Sequence, residues 1–242
     1  MNRTLLHRLA LLLLLTALSP AHAAQTTTVT IGSTPIYLPA PDGFTEVGQG
    51  SPDIMARFTT FTPPSNKLLA VYFTHADATR LRQGQQPDLS SYIMVQTHRR
   101  SLEQDMSQAE FDNLRNIIRT QQQELLEQGR KRANELLHER RSQISSQTGA
   151  NTQLSVQDMA LKGVFADTPR VISLAAVNKY NVQVDGKPSS FEVAGASSVI
   201  YLKNKSLFVY VFEKYEGAHN LENIRNTSTV WSQKILRDND AR

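Results

Sequence analysis

The stretch Arg170–Tyr215, RVISLAAVNKYNVQVDGKPSSFEVAGASSVIYLKNKSLFVYVFEKY, decides the fold class. It holds three β-rich runs, Arg170–Gln183, Ser190–Leu202 and Ser206–Tyr215, separated by turn residues at Asp185-Gly186 and Lys203-Asn204-Lys205. Val, Ile, Tyr and Phe suit a pleated strand, and Asp-Gly tolerates the positive φ of a tight hairpin turn. Three such runs joined by short turns predict an antiparallel meander. Leu207–Phe212 is apolar at every position, so this strand is expected at the sheet centre, covered on both faces. Gly195-Ala196-Ser197-Ser198 lies mid-run, where glycine suggests a bulge.

Downstream, Asn220–Leu236 places Leu221, Ile224, Ser228, Trp231 and Ile235 on one face of a helix. Upstream, Ser107-x-x-Glu110 is a capping box, and Met106 can staple to Phe111. From there Phe111, Leu114, Ile118, Leu125, Leu126, Gly129, Ala133, Leu136 and Ile144 fall on one stripe. Asn113, Asn116, Thr120, Glu127, Lys131, Asn134 and His138 fall opposite. The stripe predicts one continuous helix over about 107–145, with close packing at Gly129. Such a helix is about 58 Å long, whereas a compact body of this size is about 45 Å across. Its distal half, Gln128–Ser142, is expected to overhang. Ser145–Gln153 follows as a loop, with Gly149 as the stop.

The N-terminal third is also strand-like. Thr27–Ile31 alternates, Gly32-Ser33 turns, and Pro35–Leu38 extends. Ser51-Pro52 starts a helix, with Ser as cap and Pro in the first turn. Lys67–Thr74 and Ser91–His98 read as strands, joined by a long polar loop over Asp77–Leu89. The order strands, helix, strands, helix predicts an α+β fold. One antiparallel sheet, built as a meander, packs with one long helix and a C-terminal helix in a single domain over residues 24–242.

Residues Met1–Ala23 read as a cleavable export signal. Arg3 and Arg8 precede the apolar run Leu9–Leu18, Ser19-Pro20 breaks it, and Ala21-His22-Ala23 is a small-x-small cleavage site. Ten apolar residues are too few for a span, which needs about 20. The expected location is therefore periplasmic or secreted, without a membrane anchor after cleavage. The 242-residue chain carries 26 basic and 22 acidic residues, for a net charge of +4. The signal removes two of the basic ones, so the remaining 219 residues carry +2. That is a weak basis for nucleic-acid binding, and none is expected. The chain has no cysteine, which excludes lipid anchoring through cysteine, disulfides, thiolate metal sites and thiol catalysis.

Three features together resemble the Mog1/PsbP-like family of small α+β domains. They are the bend Leu38-Pro39-Ala40-Pro41-Asp42-Gly43-Phe44, the hydrophobic meander ending at Tyr215, and the terminal helix carrying Trp231 and Ile235-Leu236. The resemblance implies a binding or accessory role and supplies no site residues.

Catalytic and metal motifs are sparse. There is no HExxH, no Gly-x-Ser-x-Gly elbow and no Ser-x-x-Lys. No cofactor or metal is expected. His75-Ala76-Asp77 is the one close His–carboxylate pairing, read as a polar strand end. The expected binding residues are basic ones of the distal helix, Arg130, Lys131, Arg132, Arg140 and Arg141. They suit an envelope protein or an anionic cell-envelope polymer. The reading is an exported, non-enzymatic binding or accessory protein. The alternatives are an envelope hydrolase using His75 and Asp77, or an oligomer formed through the long helix.

Overall fold

The structure, a computed structural model, describes residues 26–242, and the expected leader over 1–23 lies outside them. The chain opens with β1 (Thr26–Ile31) and β2 (Thr34–Pro39), a hairpin turning at Gly32, whose φ is 63°. Next come β3 (Phe44–Glu46), α1 (Pro52–Thr59), β4 (Asn66–Thr74), α2 (His75–Arg82) and β5 (Ser91–His98). Three successive helices follow, α3 (Gln108–Thr120), α4 (Gln122–Glu139) and α5 (Arg141–Thr148). The chain ends with β6 (Thr152–Thr168), β7 (Val171–Val184), β8 (Lys187–Leu202), β9 (Lys205–Lys214) and α6 (Ala218–Asp240). Strands β3 to β9 form one seven-stranded sheet in the order β3-β4-β5-β9-β8-β7-β6. Every pairing is antiparallel. The fold is α+β, as the meander and the C-terminal helix predict.

One face of the sheet is covered over its body, though not along the arm, where Asn181, Pro188 and Ser190 stay exposed. Helix α6 lays Ile224, Trp231 and Ile235 on Tyr72, Val95, Ala196 and Val209, and the β1–β2 hairpin closes the same core with Ile31, Ile36 and Leu38. Trp231 Nε1 donates to the Pro39 carbonyl at 2.6 Å. Asn239 accepts from Tyr37 N at 3.0 Å and donates to Tyr37 O at 2.7 Å. These bonds satisfy hairpin backbone groups that no third strand pairs. Buried serines on this face satisfy one another, with Ser173, Ser198 and Ser228 joined through Oγ contacts of 2.6 Å.

The opposite face carries two separate helix layers. Helices α1 and α2 cover β4 and β5 through Ile54, Phe58, Phe73, Ala78 and Met94. Helices α4 and α5 run along the other edge, β6, with Leu137 and Ile144 against Val156. Helix α3 is tied to the end of β6 by Arg115 and Arg119, which both pair with Asp167.

Several expectations change here. The helix over 107–145 is three helices, broken at Gln121 (φ −119°, ψ 29°) and Arg140 (φ −93°, ψ 6°). The cause lies in its support. Edge strand β6 shifts register at three places, so it twists and bends more than a straight helix can follow. Two kinks keep the helices seated. The break at Gln121 also resets the apolar phase, so Leu137 is buried and Leu136 only partly so. Asn134, placed among solvent-facing residues, clamps Val156: its Oδ1 accepts from Val156 N at 2.7 Å and its Nδ2 donates to Val156 O at 3.0 Å. Gly129 packs against nothing, because a Cβ there would meet no atom within 4 Å. The distal helix does not overhang alone. Strands β6, β7 and β8, of 17, 14 and 16 residues, form an arm beneath it.

Two further corrections concern the strands and the polar loop. The segment Asp77–Leu89 begins as helix α2, capped by Thr74, whose Oγ1 accepts from Asp77 N at 3.2 Å. Gly195 sits in unbroken register with β7 and β9, so it marks no bulge. A Cβ there would lie 3.4 Å from the Phe212 ring, and glycine lets that ring lie flat on the sheet.

Candidate functional site

Strand β9 is central, fourth of seven, but it is not covered on both faces. Leu207, Val209 and Val211 are sealed under α6, while Phe208, Tyr210 and Phe212 on the other face remain half-buried. One helix layer there sits over β4 and β5 and the other over β6 and β7, so β9 and β8 form the floor of a trough between them. The floor of this trough is aromatic. Tyr92 on β5 packs on Phe212 with ring centroids 5.0 Å apart, and Phe58 of α1 lies 5.5 Å from Tyr92 as one wall. Further along the same sheet face, Tyr180 and Phe191 stack at 5.2 Å.

Burial raises the tyrosine phenols of this floor. Tyr210 is pushed up to about 12. Tyr180 also rises through burial, and Tyr92 rises through burial with a smaller contribution from Tyr180. Asn178, 6% exposed, lies between these groups beside Gly195, and its Oδ1 has no partner among the described residues. The two helix layers meet across the trough in one side-chain hydrogen bond among the described residues. Gln147 Nε2 of α5 donates to Thr60 Oγ1 at the end of α1, 3.0 Å away.

Beyond Tyr180, toward the arm end of the same sheet face, lies a cleft of about 750 Å³ between the α4–α5 junction and the β6–β8 arm. Leu154 and Val182 lie on its floor, and Leu137, His138 and Arg141 on its helical wall. No Asp or Glu lines it. Arg141 bonds Asn151 Oδ1 at 3.2 Å, a neutral partner that leaves its charge uncompensated. The opposite end of the trough is a smaller pocket of about 290 Å³ around Phe208, Leu114, His98 and Glu110. Along the arm, β8 runs on beyond the end of β9, so Lys187–Phe191 forms an open edge. Its Phe191 is 41% exposed.

The five basic residues expected to bind are not gathered together. Arg141 lines the cleft. Arg130 pairs with Glu127 on its own helix, and each holds the other charged: the Arg130 pKa is raised and the Glu127 pKa lowered. Lys131 and Arg132 face solvent, and Arg140 bonds Gln143 at 3.3 Å. His75 and Asp77 do not form a dyad. His75 Nδ1 shares a hydrogen bond with Thr45 Oγ1 at 2.9 Å. The buried Asp77 carboxylate instead accepts from Asp88 N at 2.8 Å and Leu89 N at 3.2 Å, which ties down the loop. Among the described residues no group of three or more His, Asp or Glu side chains is placed to hold a metal, and no helix is long and apolar enough to cross a membrane.

The aromatic strip was not anticipated from the sequence. Its signal was the alternation Leu-Phe-Val-Tyr-Val-Phe over 207–212. Aliphatics fill the closed face, and bulkier, partly polar rings fill the face that stays open.

No protein-family model matches this chain, and no curated protein does. Among solved structures, two that are weakly similar to it are both of Mog1. One is a point mutant of the protein Mog1, at 14% identity and a TM-score of 0.30, covering 89% of this chain and 94% of that one. The other is the Ran-binding protein Mog1p of Saccharomyces cerevisiae, at 12% identity and a TM-score of 0.28, covering 90% of this chain and 95% of that one.

Proposed function

We propose that this is an exported, non-enzymatic binding protein of the cell envelope, and that it holds an anionic envelope polymer in the cleft between α4–α5 and the β6–β8 arm. The observation that carries the reading is the composition of that cleft. It is large enough for a ligand, it presents Arg141 and His138, and no carboxylate lines it. Export rests on the leader Met1–Ala23. The hydrolase alternative draws no support from His75 and Asp77, whose hydrogen bonds go to different partners.

The test uses the chain from residue 24 onward. Calorimetric titration with oligogalacturonate or polyphosphate is expected to show saturable binding that weakens with salt. Arg141→Glu should weaken it at least tenfold, whereas Lys131→Glu, outside the cleft, should change it less than threefold. Binding of neither polyanion, or an Arg141→Glu variant that binds as tightly as the wild type, would sink the proposal. Mass spectrometry of protein recovered from the periplasm is expected to find a first residue near Ala24.

A further inference from the structure

The cleft shares a sheet face with a longer aromatic strip. From Phe208 to Phe212 along β9, and from the paired Gly195 to Phe191 along β8, the floor spans eight residue steps, or about 27 Å. Over that length aromatic side chains succeed one another on a single face: Phe208, Tyr210, Phe212, Tyr92, Tyr180 and Phe191. Helices α1 and α2 pack on Tyr92, Tyr210 and Phe212, and α4 and α5 on Tyr180, yet each ring keeps part of its surface exposed. The Tyr92, Tyr180 and Tyr210 phenols stand on this floor, and the buried Asn178 Oδ1 beside them has no hydrogen-bond partner among the described residues.

We infer that the occupant of this trough is an acidic polysaccharide, its sugar rings lying on the aromatic strip and its carboxylates reaching His138 and Arg141 at the cleft. This deepens the proposed function and rests on it. Three features of the surface select a glycan over other polyanions. A sugar ring offers an apolar C–H face to an aromatic ring and a rim of hydroxyls to phenols and amides, so it meets both kinds of group on this floor. A polypeptide laid here would meet a strand edge only at Lys187–Phe191 of β8, where Pro188 removes a donor, and elsewhere would bring its backbone N–H and C=O groups onto an aromatic surface, at a cost for each. A polyphosphate has no apolar face and gains nothing from the strip. The charge is complementary at the cleft alone, where the lining holds Arg141 and His138 and no acid.

The experiment compares three polyanions matched in charge and length: oligogalacturonate, polyphosphate and poly-glutamate. Oligogalacturonate is expected to bind at least tenfold tighter than the other two. The double variant Phe208→Ala/Tyr210→Ala should erase that preference and leave the remaining binding sensitive to Arg141→Glu. Where circular dichroism shows that the double variant has lost its fold, Tyr180→Phe and Tyr92→Phe keep every ring and remove two hydroxyls, and oligogalacturonate affinity should fall at least threefold. Equal affinity for polyphosphate, or a preference untouched by the trough variants, overturns the glycan assignment and leaves the cleft as an anion site. Failure of all three polyanions to bind overturns both readings.

Discussion

At the residue scale, the trough phenols link structure to a measurable pH response. Burial holds Tyr92, Tyr180 and Tyr210 in the neutral form, with Tyr210 raised from 10 to about 12. An acid whose folded pKa is raised binds its proton more tightly in the folded state than in the unfolded one. Its contribution to stability is fully present below about pH 10 and is lost as pH climbs through the folded value. Alkaline titration followed by phenolate absorbance should therefore show tyrosines that ionise late, and unfolding should begin above about pH 10. Tyr210→Phe should shift that onset to higher pH; an unchanged onset would mean that the ring is not held as described. Asn134 is a second residue whose role depends on place. Asparagine on a charged helix reads as solvated, yet both ends of its amide are committed to one residue of the edge strand.

At the element scale, the sequence was most legible where signals are local. Ser51-Pro52 caps α1, Ser107 and Glu110 form the capping box of α3, and Gly149 ends α5 at φ 69°. Strand β5 has the bounds Ser91–His98 that its composition suggests. What stayed hidden depended on contacts distant in sequence. The kinks at Gln121 and Arg140 follow the bending of β6, which periodicity within the helix cannot register. Helix α2 was hidden because its cap, Thr74, is also the last residue of β4, although Thr74-x-x-Asp77 carried the spacing of a cap. The open side of β9 depends on where helices from two other parts of the chain come to rest. Gly129 now yields a prediction opposite to the one a packed stripe implies. With open space around its Cβ, Gly129→Ala should stabilise the protein by about 0.5–1 kcal/mol, since alanine restricts the unfolded chain and favours helix. Denaturant unfolding measures this, and a lower midpoint would mean that the position is crowded. The edge of β8 shows the reverse economy. Pro188 points its nitrogen to the same side as the Glu192 carbonyl that accepts from Tyr215 N, so an open edge lacks a donor where a foreign strand would dock.

At the scale of the whole molecule, one face of the sheet builds the core and the other is divided by the trough. Helix α6 and the hairpin hold β4, β5, β7, β8 and β9 together from one side, so the second face does not have to be sealed for stability. The two helix layers beside the trough are consequently free to differ in mobility. Only the Gln147–Thr60 bond joins them among the side-chain hydrogen bonds described, and such a bond contributes about 0.5–1.5 kcal/mol. Gln147→Ala is expected to speed amide hydrogen exchange in Arg141–Thr148 severalfold and leave exchange in β7 to β9 unchanged. Equal acceleration throughout would show that α5 opens only with global unfolding. The bond also changes the topology of access. A polymer on the trough floor would be crossed by this strap of two side chains. Leaving by an end would then be easier than lifting off, so residence time should lengthen with chain length, and a ring-closed polymer should bind more slowly than a linear one of the same size.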